Sequence, residues 1–150
     1  MIKVMFVCLG NICRSPMAQF VLQDIVKKRG LENEFLIASS ATSREEVGNC
    51  VHYGTKKKLA EYGISCDGKT AVVLTKEDYA KYDYILAMET HNVTNIIKII
   101  GKDTDNKVFR LLDFSSNPRD IADPWYTGDF DVTYDDILEG CEAFLNKIFN

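Results

Sequence analysis

A short segment near the amino terminus carries a thiol, a guanidinium and a hydroxyl at spacings that suit reaction with a phosphate group. Its sequence is Val7-Cys8-Leu9-Gly10-Asn11-Ile12-Cys13-Arg14-Ser15-Pro16. A Cys8 thiolate would attack phosphorus in line, and Arg14, six residues later, would grip two phosphate oxygens with its planar guanidinium. The Ser15 hydroxyl would donate a hydrogen bond to the thiolate. This combination predicts transfer of a phosphoryl group to a thiol.

The residues around this segment predict a strand before it and a helix after it. Lys3–Val7 is a β-branched and apolar run typical of a buried strand. Ser15–Pro16 is a typical helix start, with an N-cap residue followed by proline in the first turn. A loop that ends at a helix amino terminus points unpaired N–H groups at an anion, and the helix dipole adds to them. Gly10 and Asn11 tolerate the left-handed or strained backbone of such a loop, and its amides would stabilise the thiolate of Cys8.

Apolar periodicity along the rest of the chain predicts alternating strands and helices. The further strands are Phe35–Ala38, Tyr84–Met88 and Val108–Leu112. The first predicted helix ends at Gly30, and the second runs from about Thr55 to Gly63. The third runs from a Thr90 cap to Gly101, and the last follows an apolar stripe from Tyr134 to Ile148. This order favours an α/β fold of one domain, residues 1–150, with a parallel sheet covered by helices on both faces. Ligands bind such sheets beyond the carboxyl ends of the strands, and residues 8–15 and the irregular stretch 113–131 both follow strands.

The charge and the cysteines narrow the compartment and the partners. The chain has 150 residues, a net charge of −4 and five cysteines. A negative net charge argues against nucleic-acid binding, which needs a basic face, and we interpret Lys56–Lys57–Lys58 as a solvated helix surface. The cysteines lack the spacing of a disulfide-rich secreted domain. No apolar run is long enough for a membrane span or a signal peptide, so we expect a cytoplasmic protein.

Two features together resemble the low-molecular-weight protein tyrosine phosphatase family. They are the Cys-x5-Arg-Ser pattern that begins at Cys8 and the dipeptide Asp123–Pro124 far downstream. The resemblance spans the whole chain in length and in the order of its elements. It implies a four-stranded parallel sheet with a phosphate-binding loop after the first strand, no metal and no organic cofactor. It also implies phosphotyrosine-containing proteins or peptides, and phosphate itself, as the molecules bound.

By matching position, the resemblance implies a role for each site residue. Cys8 would be the nucleophile, Arg14 the phosphate clamp, and Asp123 the general acid and then the general base; Asp120 and Asp113 are the alternative acids nearby. The backbone cradle for phosphate would come from Leu9, Gly10, Asn11, Ile12, Cys13, Arg14 and Ser15. Asn11 would hold the strained turn by hydrogen bonds, with Ser39 as one partner.

The substrate slot is predicted from the aromatic residues beside the acid. Trp125 and Tyr126 would hold a phenyl ring against Leu9 and Ile12. The bulky Ile12 is similar to the residue that the tyrosine phosphatases carry at this position, whereas relatives acting on phosphoarginine tend to carry threonine there. Many family members place an aromatic residue in the variable loop where this chain has Arg44–Glu45–Glu46, so we expect acidic phosphopeptides to be handled differently.

Cys13 lies in the same short loop as Cys8, which predicts a redox role. The stabilised, solvent-accessible thiolate of Cys8 would be oxidised first, to a sulfenic acid. Cys13 would then trap it as a Cys8–Cys13 disulfide if the two side chains approach disulfide distance, and the family resemblance supports this.

Three alternatives stay open from the sequence. A thioredoxin-coupled arsenate reductase resembles the family in its first loop, but it needs two further cysteines in a mobile middle segment, and Tyr84–Asn95 has none. A non-catalytic phosphoprotein-binding module would need neither a thiol nor an acid. Zinc binding by Cys8 and Cys13 is disfavoured, since this pair has no second pair of ligands.

Overall fold

Four parallel strands form the centre of the computed structural model, which describes residues 1–149. They are β1 (Ile2–Cys8), β2 (Phe35–Ala41), β3 (Tyr84–Ala87) and β4 (Val108–Arg110). The sheet order is β2-β1-β3-β4, and every neighbouring pair is parallel. Strand β1 therefore lies inside the sheet, and the residues that follow it emerge between two neighbours at the carboxyl edge, where ligands bind in open parallel sheets.

Helices cover both faces of this sheet. They are α1 (Arg14–Lys28), α2 (Tyr53–Ala60), α3 (Asp78–Lys81), α4 (Thr90–Ile100), α5 (Pro124–Thr127) and α6 (Phe130–Phe149). Short 3-10 helices span Glu32–Glu34 and Leu111–Phe114. The predicted single α/β domain with a four-stranded parallel sheet is confirmed. Within residues 1–149, none of the helices combines the length and the hydrophobicity that a membrane span requires.

Alternation along β1 separates two hydrophobic cores. Val4 and Phe6 join the core formed with α1 and α6, whereas Met5 and Val7 join the core formed with α4. Both cores exclude water from β1, which explains its continuous apolar sequence. The carboxyl end of β1 is thus fixed from both sides, so Cys8 has a rigid base.

Helix α6 packs on α1 through the predicted apolar stripe. The fully buried members of the stripe include Ile137, Cys141, Phe144 and Leu145. Gly140 belongs to the same face, although the periodicity did not predict it. A Cβ atom at Gly140 would lie 2.4 Å from Leu111 Cγ, so glycine permits the close approach of the 3-10 turn that follows β4.

Several predicted boundaries differ from the structure. Strand β2 continues to Ala41, because Ser39 and Ser40 are buried with their hydroxyls hydrogen-bonded. The N-cap of α1 is Cys13 rather than Ser15, and the N-cap of α4 is Glu89 rather than Thr90. In each case the predicted cap is a residue of the first turn.

Two further local predictions were wrong. The stretch predicted to be irregular contains α5, a single helical turn capped by Asp123. Lys58, predicted to be solvated, is buried beneath the N-terminal part of α6. Its ammonium pairs with Asp131 at 2.8 Å and with Glu61 at 3.4 Å.

Candidate active site

The loop between β1 and α1 folds back over the end of its own strand. Asn11 has a φ of 58°, the left-handed conformation that asparagine tolerates better than most residues. This turn directs the Asn11 backbone N–H at Cys8 Sγ, 3.3 Å away. Gly10 was predicted to share the strained backbone, but its φ is not positive. Glycine instead leaves room for the variable loop, since a Cβ there would lie 3.3 Å from Glu46 Cγ.

Cys8 is buried at the base of this loop with hydrogen-bond donors around its sulfur. The Ser15 hydroxyl lies 3.0 Å from Cys8 Sγ, and the Asn11 amide adds a second contact. The N-terminal turn of α1 begins at Arg14, so the positive end of a 15-residue helix also faces the sulfur. Together, the Asn11 amide, the Ser15 hydroxyl and the helix dipole place partial positive charge around the sulfur.

The side chain of Asn11 is the centre of a buried hydrogen-bond network behind the loop. Its Nδ2 donates to Ser15 Oγ at 2.7 Å and to Ser39 Oγ at 3.0 Å. Its Oδ1 accepts from Lys69 Nζ at 2.8 Å and from the Val72 backbone amide at 3.2 Å. All hydrogen-bonding positions of the amide nitrogen and two on the oxygen are used, which holds the left-handed turn in place.

Arg14 is almost completely buried, at 1% exposure, and it is surrounded by acceptors. Its Nη1 donates to the Ile121 carbonyl at 2.9 Å and lies 3.4 Å from Glu89 Oε2. Its Nη2 donates to Asp123 Oδ2 at 3.3 Å. Two carboxylates therefore balance the guanidinium, and the fixed carbonyl contact holds its plane.

Asp123 reaches the site from the opposite side, as the N-cap of α5. Its Oδ1 accepts from the Trp125 amide at 3.0 Å, which leaves Oδ2 directed at Arg14. The alternative acids have other partners. Asp120 pairs with Arg110 and with the Thr90 amide, and Asp113 pairs with Arg110.

These groups surround one pocket. It is lined by Cys8, Leu9, Gly10, Ile12, Cys13, Arg14, Ser43, Glu45, Glu46, Asp123, Trp125 and Tyr126. The structure thus brings together the predicted nucleophile, clamp, acid and slot residues. Asn11, Ser15 and Ser39 lie behind the loop instead, so Asn11 and Ser15 can reach a phosphate only through their backbone. The predicted variable loop is divided, because Arg44 lines a separate cavity.

Cys13 is buried beside Cys8, and its surroundings disfavour the thiolate form. Burial, followed by the negative charges of Cys8 and Asp123, raises the pKa of Cys13 to about 12. Cys13 is therefore a neutral thiol at neutral pH. All five cysteines are free, with Cys50 exposed and Cys66 buried outside the pocket.

His52, Glu89 and Lys69 were not predicted from the sequence. His52 donates its backbone N–H to the Ile12 carbonyl at 2.8 Å. Its ring lies 5.4 Å from the ring of Trp125 and stacks on Phe130 at 5.4 Å, which connects the loop to the acid segment. Glu89 could have been found, because it is a carboxylate just past a predicted strand. Lys69 lies in a turn-rich segment with no periodic signal.

Comparison with known proteins assigns the chain to a family. Residues 3–150 match the model of the low molecular weight phosphotyrosine protein phosphatase. The chain belongs to this family. It is therefore a protein-tyrosine phosphatase, a hydrolase, and the resemblance carried by Cys8, Arg14 and Asp123–Pro124 is confirmed at the level of the family.

Individual relatives match this chain over nearly their whole length. The low molecular weight protein-tyrosine-phosphatase YfkJ of Bacillus subtilis is 40% identical over 150 residues, covering 99% of this chain and 96% of the relative. The corresponding PtpA of Staphylococcus epidermidis is 38% identical over 149 residues, with 99% and 94% covered. The crystal structure of YfkJ superposes with a TM-score of 0.93 over 99% of this chain and 95% of that one. The low molecular weight protein tyrosine phosphatase from Streptococcus pyogenes, 39% identical, gives 0.89 over 100% and 95%.

Proposed function

We propose that this phosphatase hydrolyses phosphotyrosine through a cysteinyl-phosphate intermediate, with Cys8 as nucleophile, Arg14 as phosphate clamp and Asp123 as general acid and base. One observation carries the proposal: a sulfur with two hydrogen-bond contacts lies in a pocket that also holds a guanidinium and a carboxyl from the opposite side. Binding alone would need neither the thiol nor the acid.

The first step transfers the phosphoryl group to sulfur. The Cys8 thiolate attacks phosphorus, the S–P bond forms, and the bond between phosphorus and the phenolic oxygen breaks. Asp123 gives its proton to the departing phenolate, so that tyrosine leaves as a neutral phenol. Arg14 and the backbone amides of residues 9–15 hold the three non-bridging oxygens through the loose transition state.

The second step regenerates the enzyme. Asp123, now a carboxylate, takes a proton from water while the water oxygen attacks phosphorus. The S–P bond breaks, inorganic phosphate leaves, and the Cys8 thiolate is restored. The same carboxyl must be protonated in the first step and ionised in the second, so activity should follow a bell-shaped pH profile.

Arg14 lies between the proposed acid and a second carboxylate. Asp123 Oδ2 lies 3.3 Å from the guanidinium, and Glu89 Oε2 lies 3.4 Å from it. A phosphate dianion bound by Arg14 would compete with Asp123 for the guanidinium, while Glu89 remains as the carboxylate that orients the clamp.

The pocket walls favour an aromatic substrate. Trp125 and Tyr126 are largely exposed, at 56% and 78%, and they stand beside Asp123 with Leu9 and Ile12 on the other wall. Exposed aromatic rings at a pocket mouth offer apolar area to a phenyl ring. The partners would be phosphotyrosine proteins or peptides, and the five free cysteines are in keeping with a reducing, cytoplasmic location.

A panel of substrates tests this function. Purified enzyme should hydrolyse para-nitrophenyl phosphate and phosphotyrosine peptides much faster than phosphoserine or phosphoarginine. It should not reduce arsenate in the presence of thioredoxin. Arg14→Lys should lose most of the activity, because an ammonium cannot bind two oxygens in one plane. Preferred turnover of phosphoarginine or arsenate would overturn the substrate assignment.

A further inference from the structure

Lys69 lies behind the phosphate loop, outside the pocket lining, with its ammonium directed into the structure. Its Nζ donates to Asn11 Oδ1 at 2.8 Å, to the Ser39 carbonyl at 3.1 Å and to the Thr70 carbonyl at 3.0 Å. The side chain is half-buried. No substrate contact accounts for a lysine in this position.

The three contacts require the charged form of Lys69. An ammonium has three N–H donors, whereas a neutral amine has only two and a lone pair that an oxygen acceptor cannot use. Burial lowers the pKa of Lys69, and the negative charge of Cys8 acts in the opposite direction. The three acceptors are thus the groups that compensate the ammonium for its loss of water.

The same contacts set the direction of every hydrogen bond between Lys69 and the sulfur. Because Asn11 Oδ1 accepts from Lys69 and from the Val72 amide, Nδ2 must point at Ser15 and Ser39. Ser15 Oγ therefore accepts from Asn11 and has its own hydrogen left to donate. Its nearer acceptor is Cys8 Sγ at 3.0 Å; the other, the Ser40 carbonyl, is 3.4 Å away.

We propose that Lys69 is a positioning residue of the phosphatase site, whose ammonium orients the hydrogen bonds through Asn11 and Ser15 so that they end in a donor to the Cys8 thiolate. The inference rests on the proposed role of Cys8 as nucleophile. Hydrogen bonds aligned in one direction polarise each other. The positive charge of Lys69, at the start of this series of hydrogen bonds, also acts on the thiolate through the protein interior.

The other charges near Cys8 make this contribution measurable. The titratable and charged groups that line the pocket with Cys8 are Cys13, Arg14, Asp123, Glu45 and Glu46, and Lys69 faces Cys8 from behind the loop. The three pocket carboxylates oppose a thiolate. Removing Lys69 would leave Arg14 as the single cation of this set, and Arg14 is already balanced by Asp123 and Glu89.

The test measures the thiolate directly. Alkylation of Cys8 by the neutral reagent iodoacetamide is followed as a function of pH, with the Cys8 peptide quantified by mass spectrometry. Lys69→Met should raise the pH of half-maximal alkylation by about one unit, which lowers the rate about tenfold below that pH. Lys69→Arg, which retains the charge, should lie closer to wild type than Lys69→Met.

Two measurements separate positioning from simple loss of structure. Inhibition by inorganic phosphate should change little in Lys69→Met, because Lys69 does not line the pocket. Lys102→Met is the matched control: this exposed lysine precedes β4, at the opposite edge of the sheet, and its alkylation profile should equal that of wild type.

The proposal is overturned if folded Lys69→Met has the alkylation profile of wild type, or if Lys102→Met shifts it equally. Should Lys69→Met fail to fold, nitrogen-15 NMR of wild type decides: the Lys69 ammonium should be charged and slow to exchange at neutral pH, and a freely exchanging amine would refute the contacts. Alkylation needs no turnover. Inactivity toward phosphotyrosine would therefore reject the proposed function without altering this result.

Discussion

Replacing Asp123 by asparagine removes the titratable carboxyl from the site but keeps the size and shape of the side chain. Asparagine is as good an N-cap as aspartate, so its Oδ1 can still accept from the Trp125 amide and hold α5. Arg14 loses one carboxylate partner, but it keeps the Ile121 carbonyl at 2.9 Å and Glu89 at 3.4 Å. The variant should therefore fold and bind phosphate, with its defect confined to proton transfer.

The size of that defect should depend on the leaving group. A positioned general acid accelerates a reaction about 10²–10⁴-fold, which corresponds to about 3–5 kcal/mol of transition-state stabilisation. Tyrosine, with a phenol pKa of about 10, needs the full contribution when it leaves. Phenols that are much more acidic leave without protonation, so the loss of kcat/KM for them should fall towards a few-fold.

The assay is a series of aryl phosphates whose phenols span a wide range of acidity. The plot of log kcat/KM against phenol pKa should be shallow for wild type and steep for Asp123→Asn. Asp120→Asn is the matched control, since Asp120 lies three residues earlier and pairs with Arg110 outside the pocket. Equal losses across the series, or a steep plot for Asp120→Asn, would remove Asp123 from the acid role.

Three other features of the structure have measurable consequences. Hydrogen bonds from Arg119 lower the pKa of Glu139 from 4.5 to about 2. Glu139→Gln should therefore lower the free energy of unfolding by about 0.5–1 kcal/mol above pH 4.5, as expected for such a screened pair. In urea unfolding, the difference between the variant and wild type should fade as the pH falls from 4.5 to 2, and a difference that stays constant would contradict this role of Glu139. Because the pKa of Cys13 is about 12, trapping of the peroxide-oxidised nucleophile as a disulfide should accelerate roughly tenfold per pH unit near neutrality, with Cys13→Ser failing to recover activity in a thiol reductant. Glu45 and Glu46 line the pocket, so phosphotyrosine peptides flanked by lysine should exceed those flanked by glutamate about fivefold in kcat/KM; a preference unaffected by added salt would argue against these carboxylates.

The chemistry of the loop was predictable because it is local. Cys8, Asn11, Arg14 and Ser15 lie within one turn between a strand and a helix, and their types indicate an anion cradle without knowledge of the rest of the chain. Asp123 was harder to assign, since Asp-Pro is also ordinary turn chemistry. The assignment of Asp123 as the acid depends on its occurrence together with the loop motif in the same chain.

Lys69 and His52 could not be predicted because tertiary structure alone brings them to the site. Lys69 contacts Asn11 across 58 residues of sequence, from a segment whose composition indicates only turns. His52 joins the loop to Trp125 through a backbone amide and ring contacts, neither of which leaves a sequence pattern.

The errors in the fold have a similar cause. Polar Ser39 and Ser40 continue β2 because Gln19 and Met5 accept hydrogen bonds from their hydroxyls, whereas a polar run by itself indicates a loop. The single turn of α5 is too short for periodicity to detect. The long, strongly periodic α6 was predicted almost completely.

The measurement that tests the central claim most directly is the capture of phosphate on Cys8. Asp123→Asn lacks the base for the second step, so with an activated aryl phosphate it should release a burst of phenol and accumulate a phosphorylated protein. Rapid quenching and mass spectrometry should locate one phosphate on the Cys8 peptide. Cys8→Ser should give no burst and no turnover while still binding inorganic phosphate. Phosphate on another residue, or appreciable turnover by Cys8→Ser, would contradict the cysteinyl-phosphate mechanism.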